Sequence, residues 1–352
     1  MTCAYFIQRQ WQLPGSVSGG EAAIIRVMKR RQFLRLGGAA ASSAVATAIL
    51  GPVPTSGAQS GPTPVHFDVP AGTCDCHVHI HADPKRFPFF AGRVYTPPPA
   101  SPEELATLHK ALHIDRVVIV TPSVYGTDNA ATLFGMQARG RNARAVGVID
   151  ERTTDRELDA MDRAGMRGIR LNLATAGVND PTVGRQRLEA AFARMTARHW
   201  HVQMNTTPPM IAAIADLVAK APVPVVFDHF GGARAELGPA QPGFQALVNL
   251  VGSGKAYVKI SAAYRTSTLP DYRDVLPLAQ ALIAANADRV LWGTDWPHPN
   301  PAPPPGGTAA DVTPFLTIDD GRVMNLLSVW APDAVIRRKI LVDNPATLYG
   351  FA

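Results

Sequence analysis

Three short stretches hold residues whose types and spacing suit acid–base or metal chemistry. The first is Cys74-Asp75-Cys76-His77-Val78-His79. Side chains alternate along a strand, so Asp75, His77 and His79 are expected on one face and Cys74, Cys76 and Val78 on the other. Two imidazoles two positions apart can converge on one metal ion or one carbonyl oxygen. The second stretch, Leu291-Trp292-Gly293-Thr294-Asp295-Trp296-Pro297-His298, puts Asp295 at the end of an apolar run. The third, Phe227-Asp228-His229-Phe230-Gly231-Gly232, brings His229 to a similar end, ahead of glycines that allow close backbone approach. An aspartate beside histidines makes a metal site or an acid–base site. Arg170 and Arg265 add planar forks that match carboxylates. They point to a substrate bearing a carboxylate, or to ion pairs with acids such as Glu189 and Asp228, and both readings stay open.

Something must bring these distant segments together. Short Val- and Ile-rich runs recur at 73–80, 116–120, 145–149, 168–173, 201–205, 224–228, 256–260 and 289–292, as parallel strands buried on both faces would. Helical patterns separate them. Ser101-Pro102-Glu103-Glu104 and Thr154-Asp155-Arg156-Glu157 are capping boxes, and Gly165 is placed to end the second helix. Apolar spacing predicts further helices over 188–198, 211–220, 244–251 and 272–286. Eight strand–helix units in succession predict an α/β fold, a (β/α)8 TIM barrel, rather than a doubly wound open sheet. Closure of such a barrel sets strands one and eight side by side, which brings Asp295 to His77 and His79. The irregular stretch from Pro297 to Thr317 follows the eighth strand and reads as a rim or lid loop, or as an insertion without fixed structure.

Ahead of the barrel stands an address. Lys29-Arg30-Arg31-Gln32-Phe33-Leu34-Arg35, an uncharged Ala- and Gly-rich stretch to Leu50 and the small residues Ser56-Gly57-Ala58 form a twin-arginine (Tat) export signal. Met28 directly precedes it, so residues 1–27 are expected to be an over-extended start that is not made, with the signal at 28–58. A Pro/Gly/Ser-rich linker at 59–70 is expected to be mobile, and one barrel to fill 71–352. The full chain of 352 residues has a net charge of +6, yet residues 1–58 hold six basic groups and one acid. The remainder is close to neutral, so the basic excess belongs to the signal and gives no case for nucleic acid. The composition, 46% apolar and 18% charged, excludes a disordered chain, and three cysteines exclude a disulfide scaffold. Cys74 and Cys76 are expected as buried free thiols behind the first strand. The barrel part has no apolar run long enough to span a membrane.

The motifs together resemble the amidohydrolase superfamily, and within it the branch of 2-pyrone-4,6-dicarboxylate lactonase and related sugar-acid lactonases. The resemblance covers roughly residues 70–352. It rests on 75–79, 122–129, Gly168-Ile169-Arg170-Leu171-Asn172, 227–231, Val258-Lys259-Ile260-Ser261 with Ala262-Ala263-Tyr264-Arg265, 293–299 and 343–350. It implies His77, His79, His229 and Asp295 as the catalytic set, with Tyr125, Arg170, Asn172, Tyr264 and Arg265 lining the substrate pocket. The sequence departs from metal-dependent members at the fifth strand. Gln203 or Asn205 occupies the end where they carry a His or a bridging Lys, and His201 lies at the start, toward the opposite face. Two-metal chemistry is therefore not expected. No cofactor is required, or a single Zn²⁺ or Mn²⁺ binds His77, His79 and Asp295.

The resulting expectation is a periplasmic or exported hydrolase that opens a carboxylated lactone or related cyclic ester. Asp295 would act as general base, and His77, His79 and His229 would polarise the carbonyl. The expected partners are this small molecule and, during export, the Tat translocon. Alternatives on the same residues are a lactone isomerase, a metal-dependent decarboxylase and a non-catalytic sugar-acid-binding protein.

Overall fold

In the computed structural model, residues 61–351 are described; the export signal at 28–58 and the start at Met28 lie outside them. Eight strands run in sequence order: β1 (Cys74–Val78), β2 (Arg116–Val120), β3 (Ala143–Gly147), β4 (Met166–Asn172), β5 (His201–Asn205), β6 (Val225–Phe227), β7 (Ala256–Ser261) and β8 (Val290–Gly293). Every neighbouring pair is parallel, and a parallel bridge from Val78 to Trp296 brings the last strand back to the first. This is the expected (β/α)8 barrel.

The strands are apolar on both faces because each face has a different neighbour. Val117, Ile119, Val202, Met204, Val258 and Ile260 join the large core shared with the helices. The alternate positions Val118, Val120, Val146, Val226 and Leu291 form a second, smaller cluster, which is the barrel interior. Tyr349 and Phe351 from the end of the chain belong to that inner cluster and close its lower end. Arg144 fastens the plug by donating to the carbonyls of Tyr349 and Gly350.

Outside the barrel lie α1 (Pro102–Ala111), α2 (Ala130–Arg139), α3 (Asp155–Ala164), α4 (Pro181–Met195), α5 (Pro208–Ala219) and α6 (Phe244–Gly252). A short α7 (Ala263–Thr266) precedes α8 (Leu276–Asn286), α9 (Asp320–Trp330), α10 (Ala334–Arg338) and α11 (Asn344–Tyr349). Both capping boxes form, at Ser101–Glu104 and Thr154–Glu157, and Gly165 ends α3 in the left-handed region at φ 107°. The fourth helix starts seven residues before its apolar pattern, because Asp180 caps it and Pro181 suits its first turn.

Two expectations about irregular segments change. The supposed mobile linker is tied down from Thr63 onward. Thr63 N–H donates to Asp319, His66 N–H to Asn325, and the Asn325 amide to the Pro64 carbonyl, while Val65, Phe67 and Val69 pack against the core. The ordered body thus begins upstream of residue 71. The stretch after β8 is a rim loop with fixed contacts: Thr313 N–H bonds to the Thr96 carbonyl, Leu316 N–H to the His298 carbonyl, and Thr96 Oγ1 to the Ala309 carbonyl.

Candidate active site

The first strand does not alternate to its end. Its pairing with β2 shifts register between Asp75 and Val78. This irregularity lets Cys74 and Cys76 face the interior and still turns His77 inward above them. Asp75 points outward, toward His109 of α1. The expected faces are therefore corrected: Asp75 does not share the face of His77, and the thiols lie inside the barrel rather than behind the strand. Asp75 has another task. It accepts from Thr294 N–H (3.0 Å), Thr294 Oγ1 (2.6 Å) and His77 N–H (3.1 Å), clamping β1 to β8. The strands lie so close there that a Cβ on Gly293 would stand 2.7 Å from His77 N.

That seam brings Asp295 to the histidines. Its Oδ2 accepts from Tyr264 Oη at 2.6 Å and Arg265 Nε at 2.7 Å. Its Oδ1 is buried without a hydrogen-bond partner. Facing that oxygen are His79 Nε2 at 3.4 Å, His77 Nε2 at 3.6 Å and His229 Nε2 at 3.9 Å. The four predicted residues thus meet at one point, with Asp295 and His229 both in the left-handed backbone region (φ 65° and 49°) at the ends of their strands.

The opposite ring nitrogens determine what each imidazole can do. His79 Nδ1 lies 2.8 Å from the Val120 carbonyl, which can only accept, so the proton sits on Nδ1 and Nε2 keeps a lone pair. His77 Nδ1 lies 3.1 Å from Asp228 Oδ1, which favours the same tautomer. His229 Nδ1 is 2.8 Å from Ser261 Oγ, a hydroxyl that can donate and leave the imidazole proton on Nε2. Burial pushes His77 well below its ordinary value, although Asp228 pulls the other way. Burial likewise lowers His229 to about 4 against the pull of Asp295 and Asp228. Both are neutral at pH 7. Burial alone would raise Asp295, but Arg265, His229, His79 and His77 outweigh it and hold the carboxyl well below the usual range.

Beneath His77 lies a polar network in which Lys259 has no role assigned from the sequence, while the Arg170–Asp228 ion pair is the one left open there. Asp228 Oδ2 accepts from Arg170 Nε (2.9 Å) and Gln203 Nε2 (3.1 Å). Lys259 Nζ donates to Gln203 Oε1 at 2.6 Å and stands 3.5 Å from Asp228 Oδ1 and 3.4 Å from His77 Nδ1. Lys259 is fully buried, and desolvation lowers its pKa despite Asp228. Burial would raise the Asp228 carboxyl, yet His77, Arg170 and Lys259 keep it well below the ordinary carboxylate value. A lysine inside the apolar run 256–260 was the available signal for this network.

The predicted pocket residues divide. Arg170 and Arg265 line a cavity of about 80 Å³ with His79, His229 and Asp295, each also paired with an acid. Arg170 spends only Nε on Asp228, which leaves its outer nitrogens to the cavity. Tyr264 serves Asp295 directly and does not face this cavity. Tyr125 and Asn172 line a neighbouring cavity instead. Tyr125 Oη accepts from Ala82 N–H and its ring packs on Phe89, while Asn172 lies two residues beyond Arg170 at the end of β4, opposite Asn205. Tyr95 takes the place expected of Tyr125 in the catalytic cavity, with burial pushing its hydroxyl up to about 12.

A cation site is also present. His77, His229 and Asp295 offer ligand atoms within 4.8 Å of one another, the one such cluster among the described residues. His79 adjoins Asp295 but is outside that cluster, so the expected set His77, His79, Asp295 is corrected to one with His229. Two of the three ligand groups, His77 Nε2 and Asp295 Oδ1, are buried and unpartnered. Nitrogen and carboxylate donors around an open position fit one divalent ion. The fifth strand offers no further ligand at its upper end: Gln203 is engaged as above, and Asn205 Nδ2 donates to Thr175. His201 lies at the lower end, fully enclosed.

The amidohydrolase family profile matches residues 74–351. The chain belongs to that family. It is similar to the 4-sulfomuconolactone hydrolase of Rhizobium radiobacter, 34% identical over 84% of this chain and 96% of the relative. It is also similar to the 2-pyrone-4,6-dicarboxylate hydrolase of Comamonas testosteroni, at 33% over 82% and 94%. The D-galactarolactone isomerase of Agrobacterium fabrum is 29% identical over 80% and 91%. An Agrobacterium tumefaciens protein solved in its apo form superposes with a TM-score of 0.68, at 28% identity over 83% and 99% of the two chains. This amidohydrolase is an enzyme, a hydrolase, which removes the non-catalytic alternative. No helix among its described residues is long and apolar enough to cross a membrane.

Proposed function

We propose that this amidohydrolase opens a carboxylated lactone by hydrolysis, with Asp295 as the base. The observation that carries the reading is the bare Oδ1 of an ionised, fully buried aspartate facing three imidazole nitrogens. Oδ1 and the lone pair of His79 Nε2, 3.4 Å apart, can both accept from one water and hold it for attack. Tyr264 and Arg265 fix the other carboxylate oxygen and keep Oδ1 turned to the cavity. As water adds to the lactone carbonyl, its proton passes to Asp295. The ring C–O bond then breaks, and the proton returns to the departing oxygen, giving a hydroxy acid.

The histidines divide the work unevenly. His79 carries its proton on Nδ1, so in the neutral state it accepts and does not polarise a carbonyl. His229, with Ser261 on its Nδ1, is the imidazole suited to donate to the developing oxyanion. Arg170 and Arg265 supply donors for a substrate carboxylate on the cavity wall. Where a single Zn²⁺ or Mn²⁺ is bound, His77, His229 and Asp295 would hold it, and it would supply Lewis-acid polarisation of the carbonyl.

The 4-sulfomuconolactone hydrolase and the 2-pyrone-4,6-dicarboxylate hydrolase among the relatives support this choice. The isomerase relative keeps a second reading in play, in which the same base moves a proton without net hydrolysis. A pH-stat panel of carboxylated lactones separates them. Hydrolysis releases one acid per turnover, whereas product formation without acid release would favour isomerisation. Metal content of the purified enzyme, with activity before and after chelation, decides whether the ion is needed. We further propose export through the twin-arginine route; replacing Arg30 and Arg31 together by lysine should leave the protein in the cytoplasm, and unchanged periplasmic recovery would reject the route.

A further inference from the structure

We propose that the active site continues into a second subsite that takes an apolar substituent on the lactone ring. The inference rests on the lactone reading and names the substrate class more closely. The cavity around Asp295 measures about 80 Å³, far below the ~300–1,000 Å³ of ordinary small-molecule sites. It accommodates the reacting ring and little more. Next to it lies a cavity of about 800 Å³, and Ser123 and Thr175 line both. A substituent leaving the ring between these two residues passes from one into the other.

The larger cavity has two unlike walls. One is apolar: Phe90 and Val94 come from the loop after β1, and Val148 from just after β3. Phe90 is 51% exposed to water. It is nevertheless held in place, since its N–H bonds to the Val124 carbonyl in the segment that carries Ser123 and Tyr125. Of the seven exposed large apolar side chains among the described residues, Phe90, Val94, Val312 and Leu316 come from two loops. Those loops are joined by the Thr96–Val312 bridge. Phe90 and Val94 of this set line the larger cavity itself, and exposed apolar side chains gathered in a cavity mark a binding surface rather than the scattered apolar residues of an ordinary exterior. The rest of the lining is largely polar: Arg93, Asp128, Asp150 and Arg187 stand with Asn172, whose Oδ1 is buried without a partner. The Asn172 oxygen suits a hydrogen-bond donor on the substituent, an amide N–H or a hydroxyl.

The test is a series built on one carboxylated γ-lactone, bearing hydrogen, methyl, butyl or hexyl through an amide link. Wild-type kcat/KM should climb along the alkyl members by about threefold per methylene until the groove is filled. Phe90→Ser with Val94→Ser should flatten that climb, while Val335→Ser, an exposed apolar site lining none of these cavities, should preserve it. A flat or falling wild-type series overturns the proposal, as does a climb unaffected by the Phe90/Val94 pair. Affinity for the ring-opened hydroxy acids, measured by calorimetry on the same four members, gives a readout independent of turnover. If affinity rises with chain length and no lactone is cleaved, the subsite stands and the lactone reading falls; if the lactones are cleaved and affinity is flat, the subsite falls alone.

Discussion

The barrel interior has two ends built from similar residues, and only the upper one is equipped for chemistry. At the upper end His77, His79 and His229 each engage Nδ1 and present Nε2 toward Asp295. At the lower end His201 is as deeply enclosed, but no side chain pairs with either ring nitrogen, and the Tyr349 hydroxyl beside it has no partner. Burial drives His201 to about 3. A neutral histidine is thus common to both ends. What separates them is a fixed tautomer, an ionised carboxylate and an adjoining cavity. Histidine burial by itself carries no functional information; the partner on the far nitrogen does.

The comparison can be broken most forcefully by exchanging one residue at each end. Asp295→Asn should lose about 10³-fold in kcat/KM with its unfolding midpoint largely kept, whereas His201→Phe should stay within about threefold of wild type. Steady-state kinetics on the substrate found in the lactone panel, paired with thermal melts, reads both. Similar losses at the two positions would mean that the ends are not distinct.

Lys259→Met comes next, since Lys259 sits between the two ends. Removing its charge leaves Asp228 with Arg170 and His77 but strips the Gln203 contact. Breaking a buried charge network of this kind costs about 3 kcal/mol, read by urea unfolding. Unchanged stability would show that Lys259 is neutral and lightly held.

The smallest effect is a pH slope from the lower end. The folded pKa of His201 is lowered to about 3, below the ordinary 6.5 of the unfolded chain. The unfolded state therefore takes up the proton first, so stability is lost as pH falls from 6.5 toward 3. Between pH 7 and pH 5 this amounts to about 2 kcal/mol, and His201→Phe should remove that share of the slope. Identical slopes in the two proteins would place the titration elsewhere.

Much of this architecture could be read from the residues in order. Strand positions followed from short β-branched runs, and two helix starts from their capping boxes. Asp295 could be placed beside His77 because barrel closure is a rule of topology. What escaped reading depended on register and on distant partners. Alternation put Asp75 beside His77, but a single irregularity in β1 turned His77 inward and left Asp75 outward to hold Thr294. Lys259 and Gln203 matter through each other, and their meeting is set by the relative stagger of β5 and β7. The Pro/Gly-rich segment at 61–70 looked mobile by composition, yet Asp319 and Asn325 of the distant α9 region fasten it. Tyr95 and Tyr125 both lie on loops, where periodicity gives no direction.

The central claim is that water, guided by Asp295, opens the ring. Turnover of a carboxylated lactone in oxygen-18 water tests it most directly by mass spectrometry of the product. One heavy oxygen in the new carboxylate, formed by wild type and nearly lost with Asp295→Asn, is the predicted result. An unlabelled product with its ring intact, or label incorporated equally well by Asp295→Asn, would contradict it.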